Sequence, residues 1–372
     1  MTGKRMFIFM IALLLMMSLF GCSNNKNVLW SFKEKEPYHI LFSEEHNKVI
    51  IIRGNGYVCH DLKTGEKVWS IEKILLSNIP TIFNDELVGK TTDNNIARFD
   101  LNTGECLHTY SIDASYVSLI QREPNNLVYF VSHKDFISTL SVLDLSTGLI
   151  ESLLQFNGRA AKPIIVGEDF LAIAVNIKFS EGKIYFINKN TGEIKWERET
   201  YVTGLTTMIA GFNESMFYVD MHKELKNRLI EVDMQTGNII NRIKPRSSEW
   251  FSYTEYVDQP YIEIDEENIL LYGDRYSVYN TKSEKLIIIT EIPEIEYSSI
   301  LSNGKIIYHD NKNVYSFDIE EKTTKEIYKL SGKEVLRIIG ENEYVLLVLA
   351  KNKRTALANY LDFTYVMLRV EN

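Results

Sequence analysis

The chain has 372 residues, 45% of them apolar and 24% charged, and a formal charge of −9. That length can bury a large core, and the composition is that of an ordinary globular protein. An acidic chain with no basic cluster excludes the electrostatics of a nucleic-acid binder, and seven prolines without a low-complexity tract exclude long disordered linkers.

At the N-terminus, Lys4 and Arg5 precede an uncharged apolar run from Met6 to Phe20, followed by Gly21 and Cys22. The run falls short of the about 20 residues a bilayer span needs and fits the apolar centre of a secretory signal. A cysteine directly after a small residue resembles the bacterial lipobox. That resemblance implies diacylglyceryl transfer to the Cys22 sulfur, cleavage before it and acylation of the new N-terminus. The expectation is a lipoprotein signal peptide over 1–21 and a lipidated tether over 22–27. An ordinary signal peptide, or an uncleaved anchor with an incidental cysteine, is the other reading. Cleavage removes two bases and no acids, taking −9 to −11. Acyl chains would then hold the body outside the cytosol, on the outer face of the cytoplasmic membrane or on an outer membrane if one exists.

The next informative stretch is Asp61-x-x-Thr64-Gly65-x-x-x-Trp69. Asp and Thr side chains can bond a turn's own backbone, and Gly supplies positive φ without steric cost, so the stretch predicts a hairpin. Copies begin at Asp100, Asp144, Asn188 and Asp233, each with Thr-Gly at the same offsets. Two later copies, at Asn280 and Asp318, have lost the Thr-Gly. The spacing of about 40–45 residues, room for four short strands, is that of one propeller blade.

Val28 to Lys33 matches the strand around Trp69, yet no strands precede it. It reads as the fourth strand of a blade whose other three lie in 334–370, which would close a ring without a free edge. The chain is therefore expected to be all-β: an eight-bladed β-propeller of four-stranded antiparallel blades, one domain over 28–372. The blades are placed at 38–72, 76–112, 116–155, 162–199, 203–243, 249–292, 297–330 and 334–370 with 28–33. The alternative is seven blades with a different closure, since Asp362 can head a hairpin whose outer strand is Val366 to Val370.

The pattern Asp-x-x-Thr-Gly-x-x-x-Trp resembles the quinoprotein-dehydrogenase-like, or PQQ-like, propeller repeat over most of 28–330. Joined to the lipobox, the plan is similar to that of the propeller lipoprotein of the outer-membrane β-barrel assembly machine, a non-enzymatic scaffold. Quinoprotein dehydrogenases hold their quinone with adjacent cysteines, calcium and a stacking tryptophan. Here Cys22, Cys59 and Cys106 are far apart, and Trp30, Trp69 and Trp196 sit at the repeat's packing position. No cofactor is expected, since a shared fold does not carry function.

The seven histidines are scattered, with no metal-ligand spacing, and His60 reads as structural. Cys59 and Cys106 read as small half-buried residues, with a disulfide as the other possibility. No nucleophile elbow and no phosphate-binding loop is present. One segment departs from the repeat: 247–268 carries Trp250, Phe251, Tyr253, Tyr256 and Tyr261 among seven acids and no Lys or Arg. Aromatics with polar rims suit a partner-binding patch, and they equally suit packing between blades. The function expected is a membrane-anchored, monomeric interaction or scaffold module for another envelope protein, and not an enzyme. The alternative is a small-ligand sensor or enzyme with its site in the central funnel.

Overall fold

The computed structural model describes residues 27–34, 39–53, 56–72, 80–91, 93–123, 125–161, 163–178, 181–200, 209–221, 227–243, 261–263, 265–271, 276–290, 292, 298–301, 303–350 and 363–370. Their regular elements are all strands, and no helix among them is long and apolar enough to cross a membrane. Cys22 falls outside the described residues, as do Trp250, Phe251, Tyr253 and Tyr256; Tyr261 opens strand Tyr261–Glu263.

The strands pair into eight antiparallel sheets. In chain order the first seven span 39–72, 81–110, 116–157, 159–200, 209–243, 261–288 and 298–329. Six of these are simple four-stranded meanders. The fourth has a broken first strand, with Arg159–Ala160 and Ile164–Val166 both paired to Phe170–Lys178. Pro163 lies at the break and has no N–H to give to a ladder. The sequence reading began this sheet at 162 and so missed its first piece.

The eighth sheet runs Val28–Glu34, Phe363–Arg369, Tyr344–Ala350, Glu334–Glu341. The first described strand thus completes the last sheet, as the match around Trp30 implies. The Arg369 N–H donates to the Asn27 carbonyl at 2.8 Å, and the Asn27 amide donates to the Ile327 carbonyl at 3.2 Å. The rings of Trp30, Phe32 and Tyr365 stack in file, 5.2 and 5.3 Å apart. Phe363–Arg369 is an interior strand, so Val366 to Val370 is not the outer strand of a further hairpin.

The chain divides into two compact units. The larger, 34–296 with 360–362, holds the first six sheets; the smaller, 1–33 with 297–359 and 363–372, holds the seventh and eighth. Within the larger unit each core lies between sheets that follow one another in sequence. Alternate residues of Phe170–Lys178 show this best. Leu171, Ile173 and Val175 pack with Tyr129 and Val131 of the third sheet, while Ala172 and Ala174 pack with Met216 and Tyr218 of the fifth. A strand covered on both faces reads as a continuous apolar run, which is why these strands lack polar alternation. Fourth strands behave otherwise: in Cys106–Tyr110 only Tyr110 is buried. In the smaller unit, Ile307, Val314 and Tyr328 share a core with Val335, Val345 and Val366.

Candidate docking surface

The repeated turn is built as its residues dictate. The Asp61 carboxylate accepts the N–H groups of Lys63 at 3.0 Å and Thr64 at 2.8 Å. The Thr64 hydroxyl accepts the Glu66 N–H at 3.2 Å, and Gly65, at φ 72°, donates to the Asp61 carbonyl at 2.9 Å. The same bonds recur at Asp100, Asp144 and Asn188. Donated hydrogen bonds stabilise the ionised form. The Thr103 N–H holds the Asp100 carboxyl below its ordinary pKa, the Ser146 N–H does so for Asp144, and the Thr236 hydroxyl for Asp233.

Three of the turns are also gripped by the sheet before them. The Trp69 indole N–H donates to the Leu101 carbonyl at 2.8 Å, and a Cβ on Gly104 would lie 2.8 Å from Trp69 Cδ2. Trp196 donates to the Met234 carbonyl at 2.9 Å, with Gly237 as close beneath its ring. Between the second and third sheets Tyr110 takes this part, its hydroxyl donating to the Leu145 carbonyl at 2.9 Å beside Arg98 Nη1 at 3.0 Å. The tryptophans are packing residues, as their repeat position implies, and their N–H groups add a bond from sheet to sheet.

The third and fourth sheets meet differently. Trp69 pairs across its hairpin with Cys59, and Trp196 with Phe186. At the repeat offset that holds Trp69 and Trp196 the third sheet has Ser152, paired with Ser141. No ring covers Gly192; the Leu153 main chain lies there instead, its oxygen 2.7 Å from an added Cβ. Beside it is a cleft of about 250 Å³, walled by Leu127, Tyr129, Val142, Leu149 and Leu153, with Asp144, Glu151, Lys189 and Asn190 at its polar side. Lys189 donates to Glu123 Oε1 at 2.6 Å, and these side chains are only 8% and 10% exposed. Burial, then the Glu123 charge, pushes the neighbouring Tyr129 hydroxyl up to about 12. The pair spans 66 residues, and no motif announces it.

At the other end of strand Ile137–Asp144, the hairpin tip carries Phe136, 88% exposed, next to Ile137. Asp135 there takes a left-handed φ of 55°. Lys90 Nζ stands 3.9 Å over the ring of Tyr116, and Ser138 bonds His133 Nδ1 at 2.9 Å. Burial, then the charges of Arg159 and Lys90, holds the His133 pKa below its ordinary value. Sequence reasoning passed over Phe136; an aromatic beside a turn-forming Asp was the available signal.

The remaining candidates are structural. Cys59 is buried in the core of the first two sheets, where burial pushes its thiol up to about 12, and Cys106 is exposed on an outer strand; both are free. His60 Nδ1 donates to the Gly65 carbonyl at 3.0 Å and braces the turn. Asp265 accepts the N–H groups of Glu267 and Asn268 within its own loop. Among the described residues no group of three or more His, Cys, Asp or Glu is placed to hold a metal ion.

A family model described as outer membrane protein assembly factor BamB matches residues 23–243. The chain belongs to that family. The matched span takes in all five Thr-Gly turns and ends with the last strand of the fifth sheet, before the two turns that have lost them. Two solved structures are similar to the chain. The computationally designed protein Ika8 is 12% identical, covering 92% of this chain and 100% of its own, at a TM-score of 0.60. BamB from Moraxella catarrhalis is 11% identical, covering 92% and 99%, at 0.59. No curated protein matches the chain. The likeness shows the fold: all-β, an eight-bladed β-propeller, each sheet one blade.

Proposed function

We propose that this BamB-family chain is an extracytoplasmic docking scaffold, held to the membrane by acyl chains on Cys22, that binds another envelope protein and does no chemistry of its own. The observation that carries the reading is the family match over 23–243. The N-terminal pattern from Lys4 to Cys22 supports the anchor. Phe136, held out on a hairpin tip, supports docking, because aromatic side chains are enriched at the centres of interfaces. The aromatic stretch of Trp250, Phe251, Tyr253, Tyr256 and Tyr261 is the second proposed contact region.

The test uses the full chain in its own membranes. A photo-crosslinking residue replaces Phe136 in one variant and Trp250 in another, and a third carries Cys22→Ser. The expected result is one predominant protein adduct from at least one site, and release of the Cys22→Ser chain from the membrane fraction. Absence of an adduct from both positions would remove the docking role; membrane retention of Cys22→Ser without fatty-acid labelling would remove the anchor.

A further inference from the structure

Three sheets bring unlike side chains to one end of the larger unit. Lys90 closes the second strand of the second sheet, Tyr116 opens the third sheet and Arg159 opens the fourth. Contacts join them in an unbroken chain. Lys90 Nζ lies 3.9 Å over the Tyr116 ring, and that ring lies 5.8 Å from the His133 ring. His133 Nδ1 is 2.9 Å from the Ser138 hydroxyl, which accepts the N–H of Ala160, the neighbour of Arg159, at 3.0 Å. The Phe136 tip is tied to the same segment, its carbonyl accepting the Gly158 N–H at 2.9 Å. The tip is thereby held in one geometry before anything binds, which lowers the ordering cost of docking.

The cluster is open on its outer side. Tyr116 is 43% exposed, and Phe136 and Arg159 are exposed beside it, whereas Lys90 is buried. Its centre is positive: after burial, what lowers the His133 pKa is the charge of Arg159 and then of Lys90. The acids of this end stand on turns or in a pair. Asp93 and Asp135 lie on hairpin turns, and Asp113 holds Lys134 at 3.1 Å. A positive centre disfavours a metal cation, and the exposed rings favour apolar contact. A carboxylate next to an apolar side chain answers both features.

We infer that this end of the second, third and fourth sheets docks an acidic segment of a partner protein. Its carboxylates meet Arg159 and Lys90, and an apolar side chain between them meets Tyr116 and Phe136. The inference rests on the docking role proposed above and gives that role a partner chemistry. The chain as a whole carries −9, so its overall field opposes such a segment, and binding reports a local site.

The probe is a capped, rhodamine-labelled peptide with a leucine between two pairs of glutamates. Fluorescence anisotropy follows its binding to the full chain purified in non-ionic detergent, so the outcome does not depend on Cys22. Saturable binding is expected, weakened at least about tenfold by Arg159→Glu, by Phe136→Ser or by exchanging the glutamates for glutamines. Both substitutions lie at exposed positions that tolerate change, and circular dichroism checks that the variants fold. Raising the salt from about 0.05 to about 0.5 M should also weaken binding. Absence of binding, equal binding by the glutamine peptide, or undiminished binding to folded Arg159→Glu protein would each overturn the inference. Displacement by glycerol 1-phosphate as efficient as by unlabelled peptide would overturn it in favour of a phosphate headgroup. A membrane adduct from Phe136 without peptide binding leaves the docking role standing and removes only this partner chemistry.

Discussion

Trp69 in the first sheet donates its indole N–H to the carbonyl of Leu101, 32 residues on in the second, at 2.8 Å. The ring closes over Gly104, whose φ of 75° and missing Cβ both make room for it. Trp69→Phe keeps the ring and loses the bond, and should cost about 1 kcal/mol. Trp69→Ala should cost about 3–5 kcal/mol, the usual loss for a buried indole. Gly104→Ala drives a methyl into the ring, so combining it with Trp69→Ala should cost less than the two separately. Urea unfolding followed by circular dichroism measures all four; strictly additive losses would show that ring and glycine are not coupled.

The two turns that have lost their glycine keep its conformation. Glu284 sits at φ 55° and Lys322 at 53°. A left-handed residue with a Cβ costs about 1–2 kcal/mol. A glycine gives back about 0.5–1 kcal/mol through its freer unfolded chain. Glu284→Gly and Lys322→Gly should therefore each stabilise by about 0.5–1 kcal/mol, seen as a higher Tm. A lower Tm in both would mean that these side chains do more than occupy a turn.

These turns also show what could be read without coordinates. Asp, Thr and Gly at fixed offsets form bonds within a few residues, so the hairpins and their count were legible, including the degraded pair. Val28–Glu34 was legible for the same reason, because its tryptophan matched a repeat position lacking its own hairpin. The split at Pro163 was half legible: proline forbids the ladder bond, but nothing local says that the strand resumes on its far side. Glu123 and Lys189 were illegible. Each is an ordinary charged residue in its own stretch, and only the packing of one sheet on the next brings them together. The cleft beside them was illegible for the same reason, since Leu127, Tyr129 and Leu153 meet Lys189 only where one sheet packs on the next.

Glu231 makes a pH-dependent contribution of defined sign. It is 3% exposed and accepts the Tyr279 hydroxyl at 2.8 Å and the Ser215 hydroxyl at 3.0 Å. Burial, partly offset by those two donors, raises its pKa above the ordinary 4.5. With the folded value above the unfolded one, the folded chain binds the extra proton. The contribution is whole below the unfolded pKa and declines as pH rises through the folded one. Glu231→Gln keeps the shape and removes the titration. The Tm difference between parent and variant should shift against the parent as pH rises from about 4 to 7. A difference independent of pH over that range would mean that Glu231 titrates alike in both states.

Lys189 and Glu123 form the most enclosed ion pair among the described residues, at 2.6 Å. Its worth lies less in attraction than in what removing half of it leaves behind. Desolvating two charges largely offsets their attraction, whereas one buried charge without its partner has no compensation. Lys189→Met should therefore cost about 3–5 kcal/mol, and Glu123→Gln a comparable amount. The double variant leaves neither charge stranded and should recover most of that loss, so the coupling is strongly non-additive. Thermal melts of the parent, two singles and double close the cycle. Losses that simply add in the double variant would show that the two charges are not coupled.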